Sequence, residues 1–168
     1  RLQGATGWNT MRLSTKGRYA VTAMLDLAIH HADGPVTLAD ISETQGISLS
    51  YLEQLFAKLR KHNLVQGMRG PGGGYRLARL PEDISVAQVI DAIGEGIDVT
   101  MCGGSENCQD GERCLTHELW KKLGNEIFDF LNGITLASFL KRDRVQYVIR
   151  RQRSEIAVAS PGLSKTVA

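Results

Sequence analysis

A mainly α-helical fold carrying one small β-hairpin is what this sequence predicts. Three observations carry the prediction. Apolar residues recur at i, i+3, i+4 and i+7 along successive stretches, Gly, Pro and capping hydroxyl residues punctuate those stretches, and one glycine run divides two short apolar segments. The 168 residues suffice for one ordinary core, or for a small domain with an appendage. No run approaches the roughly 18 apolar residues that cross a bilayer, and the start lacks the pattern of a secretory signal, so the expected compartment is the cytoplasm, with no membrane partner. Thiols stay reduced there, and clustered cysteines are more often metal ligands or redox groups than bridges. A net charge of +2 argues only weakly for nucleic acid, so the placement of charge has to decide.

Residues 1–10, RLQGATGWNT, show no periodicity and read as an upstream extension outside the fold. In STKGRYAVTAMLDLAIHHADGP, Val21, Met24, Leu25 and Ala28 give one apolar helical face, which Gly34 and Pro35 end. Thr37 followed by Asp40 is a capping-box pattern opening the short helix LADISETQ, and Gly46 breaks it. Ser48 or Ser50 then caps a helix on which Leu52, Leu55, Phe56 and Leu59 repeat the spacing, with Ile41 and Ile47 placed to pack under the bend. Two short helices joined at a glycine form a helix-turn-helix pattern, which any helical hairpin also produces. The next stretch, LVQGMRGPGGGYRLAR, has apolar or aromatic residues on both sides of its glycine-rich tip and reads as a β-hairpin. A helix-turn-helix followed by such a hairpin is a winged helix. The glycines match neither G-x-x-x-x-G-K-[ST] nor G-x-G-x-x-G, so a nucleotide-binding loop is not expected.

A winged helix binds DNA through the first turn of its second helix, which here carries Ser50, Tyr51, Glu53 and Gln54. Gln54 can pair with adenine, Glu53 can accept from cytosine N4, and Ser50 is adaptable. Helix capping with Ser50 is the competing role for Glu53. Arg69, Arg76 and Arg79 on the hairpin suit phosphates or a narrow minor groove, and Lys16, Arg18, Lys58 and Lys61 suit phosphates, though each singly also reads as a solvated charge. After PEDISVAQVIDAIGEG, where Ser85 caps a helix with Val86, Val89, Ile90 and Ile93 on one face, the chain becomes polar and rich in glycine. This loop holds all three cysteines, spaced C-x₅-C-x₅-C-x₂-H from Cys102 through Cys108 and Cys114 to His117. Cys114 and His117 are placed three apart at the start of a long helix, where both project from one face. Three thiols and an imidazole suit zinc, but structural zinc sites favour a tighter C-x₂₋₄-C pair, and the wide spacing suits an iron-sulfur cluster; spacing alone leaves both open. A thiol-disulfide enzyme is disfavoured, since there is no C-x-x-C pair. On the long helix, Trp120, Leu123, Ile127 and Phe130, widened by Leu119 and Leu131, make a stripe that needs a cover, and a second copy of the chain suits it better than the helix's own domain.

Taken together, MRLSTKGRYAVTAMLDLA, LADISETQGISLSYLEQLFAKLRK, RGPGGGY and the C-x₅-C-x₅-C-x₂-H loop resemble the iron-sulfur cluster regulators, within a family of winged-helix, metal- or cluster-sensing bacterial transcription factors. The resemblance covers about residues 11 to 140. It implies a homodimer with one 2Fe-2S cluster per subunit, held by Cys102, Cys108, Cys114 and His117, and control of genes for cluster assembly, including repression of its own operon. Double-stranded DNA operators, the cluster assembly machinery as donor, and RNA polymerase at activated promoters are the partners it implies. The expected fold class is thus a winged helix-turn-helix DNA-binding domain over 11–93, with a cluster-binding loop and long dimerisation helix over 94–140 and a solvated basic tail over 141–168. An enzyme is not expected.

Overall fold

The structure, a computed structural model, describes residues 14–159, so the expected extension over 1–10 and the last part of the tail lie outside the described residues. The first helix, α1 (Thr15–Ile29), starts at Ser14, whose hydroxyl accepts from the Gly17 N–H at 3.2 Å. Its fully buried line is Ala20, Ala23, Met24 and Leu27, while Val21 and Leu25 are only half-buried. This buried line is turned from the expected one because α1 is the hub of the domain, packed against four later helices and the hairpin, and its alanines allow that close approach.

Thr37 and Asp40 form both bonds of the expected capping box at the start of α2 (Leu38–Gln45). Gly46 ends that helix at φ 65°, a left-handed conformation that a side chain would strain, and so sets the turn into α3 (Leu49–Lys61). Leu52, Leu55, Phe56 and Leu59 all point into the core, and Ile41 and Ile47 are buried beneath the turn. Strands β1 (Val65–Met68) and β2 (Gly74–Leu77) pair antiparallel, with Val65 opposite Leu77 and Met68 opposite Gly74. Val36 and Tyr75 exchange backbone hydrogen bonds of 2.8 and 2.7 Å, which fastens the hairpin to the segment before α2. A Cβ on Gly74 would stand 2.5 Å from the Val36 carbonyl oxygen, so only glycine permits this seam.

Helix α4 (Val86–Ala92) begins with a second capping box, Ser85 with Gln88, and α5 (His117–Asn132) follows the cysteine loop. Two features depart from the expected division of the chain. First, the core does not stop at residue 93. After α5 the chain turns back, Val86 N–H donates to the Ile134 carbonyl and Leu136 N–H to that of Ile84, each at 2.9 Å, and α6 (Leu136–Leu140) places Leu136 in the core with no exposure. Second, the segment from residue 141, expected as a solvated tail, is helical as α7 (Asp143–Ala159). Val145, Val148 and Ile149 form a narrow stripe hidden in the sequence by the arginines around it. Gln152 donates to Gln45 Oε1 at 3.4 Å, and Gln45 in turn donates to the buried Asp26 carboxylate at 2.6 Å.

Candidate metal centre and nucleic-acid interface

The cysteine loop is shaped by its polar residues. Asp98 accepts from both the N–H and the hydroxyl of Thr100, at 2.7 and 2.6 Å, and the Thr100 hydroxyl accepts from the Gly104 N–H at 2.9 Å, which curls the chain around Cys102. Across the loop, Arg113 binds Glu106 at 2.9 Å through Nε and Glu118 at 2.7 Å, and Lys121 reaches Glu106 at 3.1 Å, so the middle of the loop is stapled to the first turns of α5. These pairs are largely exposed and act as positioning contacts more than as sources of stability. None of these supports was read from the sequence; the Asp98-x-Thr100 spacing is the signal that could have disclosed the turn.

The loop and helix bring donors together. His117 opens α5 and is only 1 % exposed, and its Nδ1 lies 3.6 Å from Cys102 Sγ and 3.5 Å from Cys108 Sγ. One donor atom of each of these three residues lies within 4.8 Å of the others. The opposite ring nitrogen, Nε2, is buried with no hydrogen-bond partner, an unusual cost for an imidazole that serves only packing. Cys114 does not share a helical face with His117, because the helix starts at His117 with Thr116 as its N-cap. It sits in the preceding turn, where its carbonyl accepts from His117 N–H at 3.1 Å and its own N–H donates to Cys108 Sγ at 3.0 Å. The three convergent donors are therefore Cys102, Cys108 and His117, with Cys114 bound to the edge of that group through Cys108.

The thiols differ in acidity. Cys102 is lowered to about 6, chiefly by the Thr100 hydroxyl and then by the backbone amides of Glu106 and Gly104. Cys114 is lowered by the Cys108 thiol and by Thr116, whereas Cys108, though held down by the Cys114 N–H, is raised overall by the Cys114 and Cys102 thiols and by burial. A set of this kind, with one thiol already acidic and no carboxylate among the convergent donors, fits a thiophilic metal or an iron-sulfur cluster and not a hard cation.

The opposite surface is that of α3 and the wing. Residues at 100° steps put Ser50, Gln54, Ala57 and Lys61 on the outermost line of α3, directly opposite its buried leucines, with Glu53 beside them; all five are exposed. The N-cap is Ser48, so a capping-box partner would be Tyr51 and not Glu53, and no side-chain cap bond is made. The capping role weighed for Glu53 is therefore out of register. Tyr51 is half-buried, its ring edge-on to Tyr19 at 5.7 Å. Arg69 stands exposed at the wing tip and Arg76 is exposed on β2, but Arg79 turns back to the Asp83 carbonyl at 3.5 Å. On the α1 side Arg18 is exposed, Lys16 is half-buried, and Lys58 directs its ammonium to the Ile93 carbonyl at 3.1 Å. Lys16 beside it lowers the Lys58 pKa. Among the described residues no helix is long and apolar enough to cross a membrane.

Comparison with known proteins agrees with this arrangement. The sequence profile of the Rrf2 family, described as an iron-dependent transcriptional regulator, matches residues 13–142. The chain is 58% identical over 148 residues to the HTH-type transcriptional regulator IscR of Aliivibrio salmonicida, covering 88% of each protein. It is 60% identical over 144 residues to IscR of Erwinia tasmaniensis, covering 86% of this chain and 87% of the relative. Among solved structures, T. potens IscR superposes with a TM-score of 0.67 at 44% identity, covering 80% of this chain and 90% of the other. CymR, the global cysteine regulator of B. subtilis, gives 0.68 at 32% identity, covering 82% and 98%. These relatives are transcriptional regulators and not enzymes, and the two solved structures are winged-helix regulators. The chain is a DNA-binding transcription regulator of the IscR type and belongs to the Rrf2 family.

Proposed function

We propose that this protein is a homodimeric, cluster-sensing regulator that binds one 2Fe-2S cluster per subunit and controls genes for iron-sulfur cluster assembly, including its own operon. The observation that carries the reading is the convergence of Cys102, Cys108 and the buried His117 on a chain that also bears a winged helix. In it Cys102, Cys108, Cys114 and His117 hold the cluster, which would supply a link between loop segments that is sensitive to iron supply and redox state. Cys102 is ready to bind as a thiolate near neutrality, and Cys108 releases its proton on ligation. Cys114 completes the set by a short shift of the turn before α5, and His117 Nδ1, which faces the Cys102 and Cys108 thiols, supplies the imidazole donor.

At the operator, Ser50, Glu53 and Gln54 face the bases, with Tyr51 packed beside them on Tyr19, while Arg69, Lys16 and Arg18 lie at the flanks where phosphates run. Ser50, Glu53, Gln54, Arg69 and Arg18 are the exposed members of this set, and Lys58, expected with them, has its ammonium engaged by the Ile93 carbonyl. Dimerisation is supported by α5, whose Leu119, Trp120 and Phe130, on one side of the helix, are 60%, 37% and 66% exposed, an apolar face wider than a solvated helix carries. A cytoplasmic location, the assembly machinery as cluster donor and RNA polymerase at activated promoters belong to the same reading. A zinc-stabilised repressor is the second reading, favoured by the same donors. Anaerobic purification with iron, acid-labile sulfide and zinc analyses and an absorption spectrum separates them. Equal iron and sulfide with visible colour is expected, and iron-free protein with stoichiometric zinc from iron-replete cells overturns the cluster.

A further inference from the structure

The segment that leads from α4 into the cysteine loop is fastened to the DNA-binding body at two points. Lys58 Nζ donates to the carbonyl of Ile93, the C-cap of α4, at 3.1 Å. The last carbonyls of a helix lack partners within it, and a lysine ammonium satisfies such an acceptor well. Two residues on, the Glu95 carboxylate accepts from the hydroxyl of Ser14, the N-cap of α1. Three residues further along the backbone, Asp98 and Thr100 resume the bonded groups and lead to Cys102, whose Sγ lies 3.6 Å from the Thr100 hydroxyl. Side-chain contacts at both ends of one short backbone step thus join α3 to the first cysteine.

Lys58 also differs from the freely exposed cations of this surface, Arg18 and Arg69. Its position on α3 is on the Tyr51 flank, toward α1, and its ammonium is already engaged by a backbone carbonyl. We propose that Lys58 is a positioning residue that couples the state of the cysteine loop to the placement of α3, rather than a phosphate contact. The inference rests on the proposed cluster-sensing function. Ligation restrains the loop from Cys102 to His117, and through Asp98 and Glu95 it restrains the Ile93 carbonyl. Any difference in that carbonyl's position between loaded and cluster-free protein acts on α3 through the Lys58 ammonium. Lys16 stands beside Lys58, so the two like charges make the arrangement depend on Ile93 and Glu95 staying where they are.

The test uses the full chain as wild type, Lys58→Met and Lys58→Arg, each cluster-loaded and cluster-free, with iron and sulfide assayed in every sample. Anisotropy titrations on one operator duplex, selected from random DNA, are run over a salt series. The expected result for Lys58→Met is that the ratio of loaded to cluster-free affinity falls by about 5-fold or more toward unity. The slope of log affinity against log salt stays as in wild type in both forms, including the cluster-free one, and Lys58→Arg restores the ratio. A slope shallower by about one unit with the ratio intact makes Lys58 a phosphate contact and overturns the proposal. Equal weakening of both forms at unchanged slope makes it a plain helix cap and overturns it too. Iron-free wild type, or wild type with equal affinity in its two forms, refutes the cluster-sensing reading and the coupling with it, and the iron assay tells this apart from a failure of Lys58 alone.

Discussion

Replacing Glu53 with alanine isolates sequence discrimination from every other contribution of the recognition helix. The carboxylate is exposed, lies outside the capping position set by Ser48, and makes no core contact, so its removal leaves the fold nearly untouched. The expected change in unfolding free energy is within about 0.5 kcal/mol. On the proposed DNA surface the same carboxylate is placed to accept from one cytosine and to repel phosphate elsewhere. Loss of a specific base contact costs about 1–3 kcal/mol at the base it reads, which is roughly 5- to 150-fold in affinity. Removing a negative charge from a polyanion interface works in the opposite direction for sites that lack that base. Glu53→Ala is therefore expected to flatten preference at one position in each half-site while holding or raising affinity for mismatched duplexes. Anisotropy titrations over a panel of singly substituted operators, at one fixed salt concentration, measure it directly, with urea unfolding as the control. Relative affinities across the panel that match wild type would refute the reasoning, and a large drop in unfolding midpoint would show that Glu53 supports the helix after all.

Three further outcomes follow from the same coordinates. Leu136→Ala, which empties a fully buried position contributed from beyond the cysteine loop, should cost about 2–5 kcal/mol in urea unfolding; a loss below about 1 kcal/mol would mean that α6 is not part of the core. Burial raises the Asp26 carboxyl above its ordinary value, outweighing the bonds from Gln45 and His30, so the folded state holds that proton more tightly than the unfolded chain. Wild type should accordingly lose stability relative to Asp26→Asn as pH rises from about 4 through the raised value, and a gap between the two proteins that stays constant with pH would exclude this account. His117→Ala should prevent iron and sulfide uptake on anaerobic reconstitution while leaving the far-ultraviolet circular dichroism of a folded helical protein, because α5 carries its apolar residues beyond His117; a variant that still loads stably would show that a different fourth ligand completes the set.

Local chemistry made much of this protein readable in advance. The capping box at Thr37, the cap at Ser85, the Gly46 turn, the leucine line of α3 and the glycine-tipped hairpin each depend on residues a few positions apart, whose preferences act before any packing occurs. The C-x₅-C-x₅-C-x₂-H pattern marked the thiols and imidazole of the loop as candidate ligands for the same reason, since donor type is a property of side chains, and the structure brings three of the four together. What the sequence could not supply were relations between distant segments. The closing of the core by Leu136 needs a 43-residue excursion from Ile93 to return to α1 and α4, and nothing local marks where it lands. The helical stripe of α7 is too narrow among its arginines to stand out until the fold sets it across a cavity from Leu25 and Ile29 of α1. Spacing placed Cys114 and His117 on one helical face, whereas the actual start of α5 put Cys114 in a turn and left Cys102 and Cys108 nearest to the imidazole. Lys58 looked like one more surface cation, and only the packing of α3 against the end of α4 gave its ammonium a carbonyl to bind. Residue type and short-range spacing thus decided which groups are present and which helices form as far as α5, while α6, α7 and the direction in which each group points were decided by tertiary packing, since these depend on neighbours that the chain brings together only when it folds.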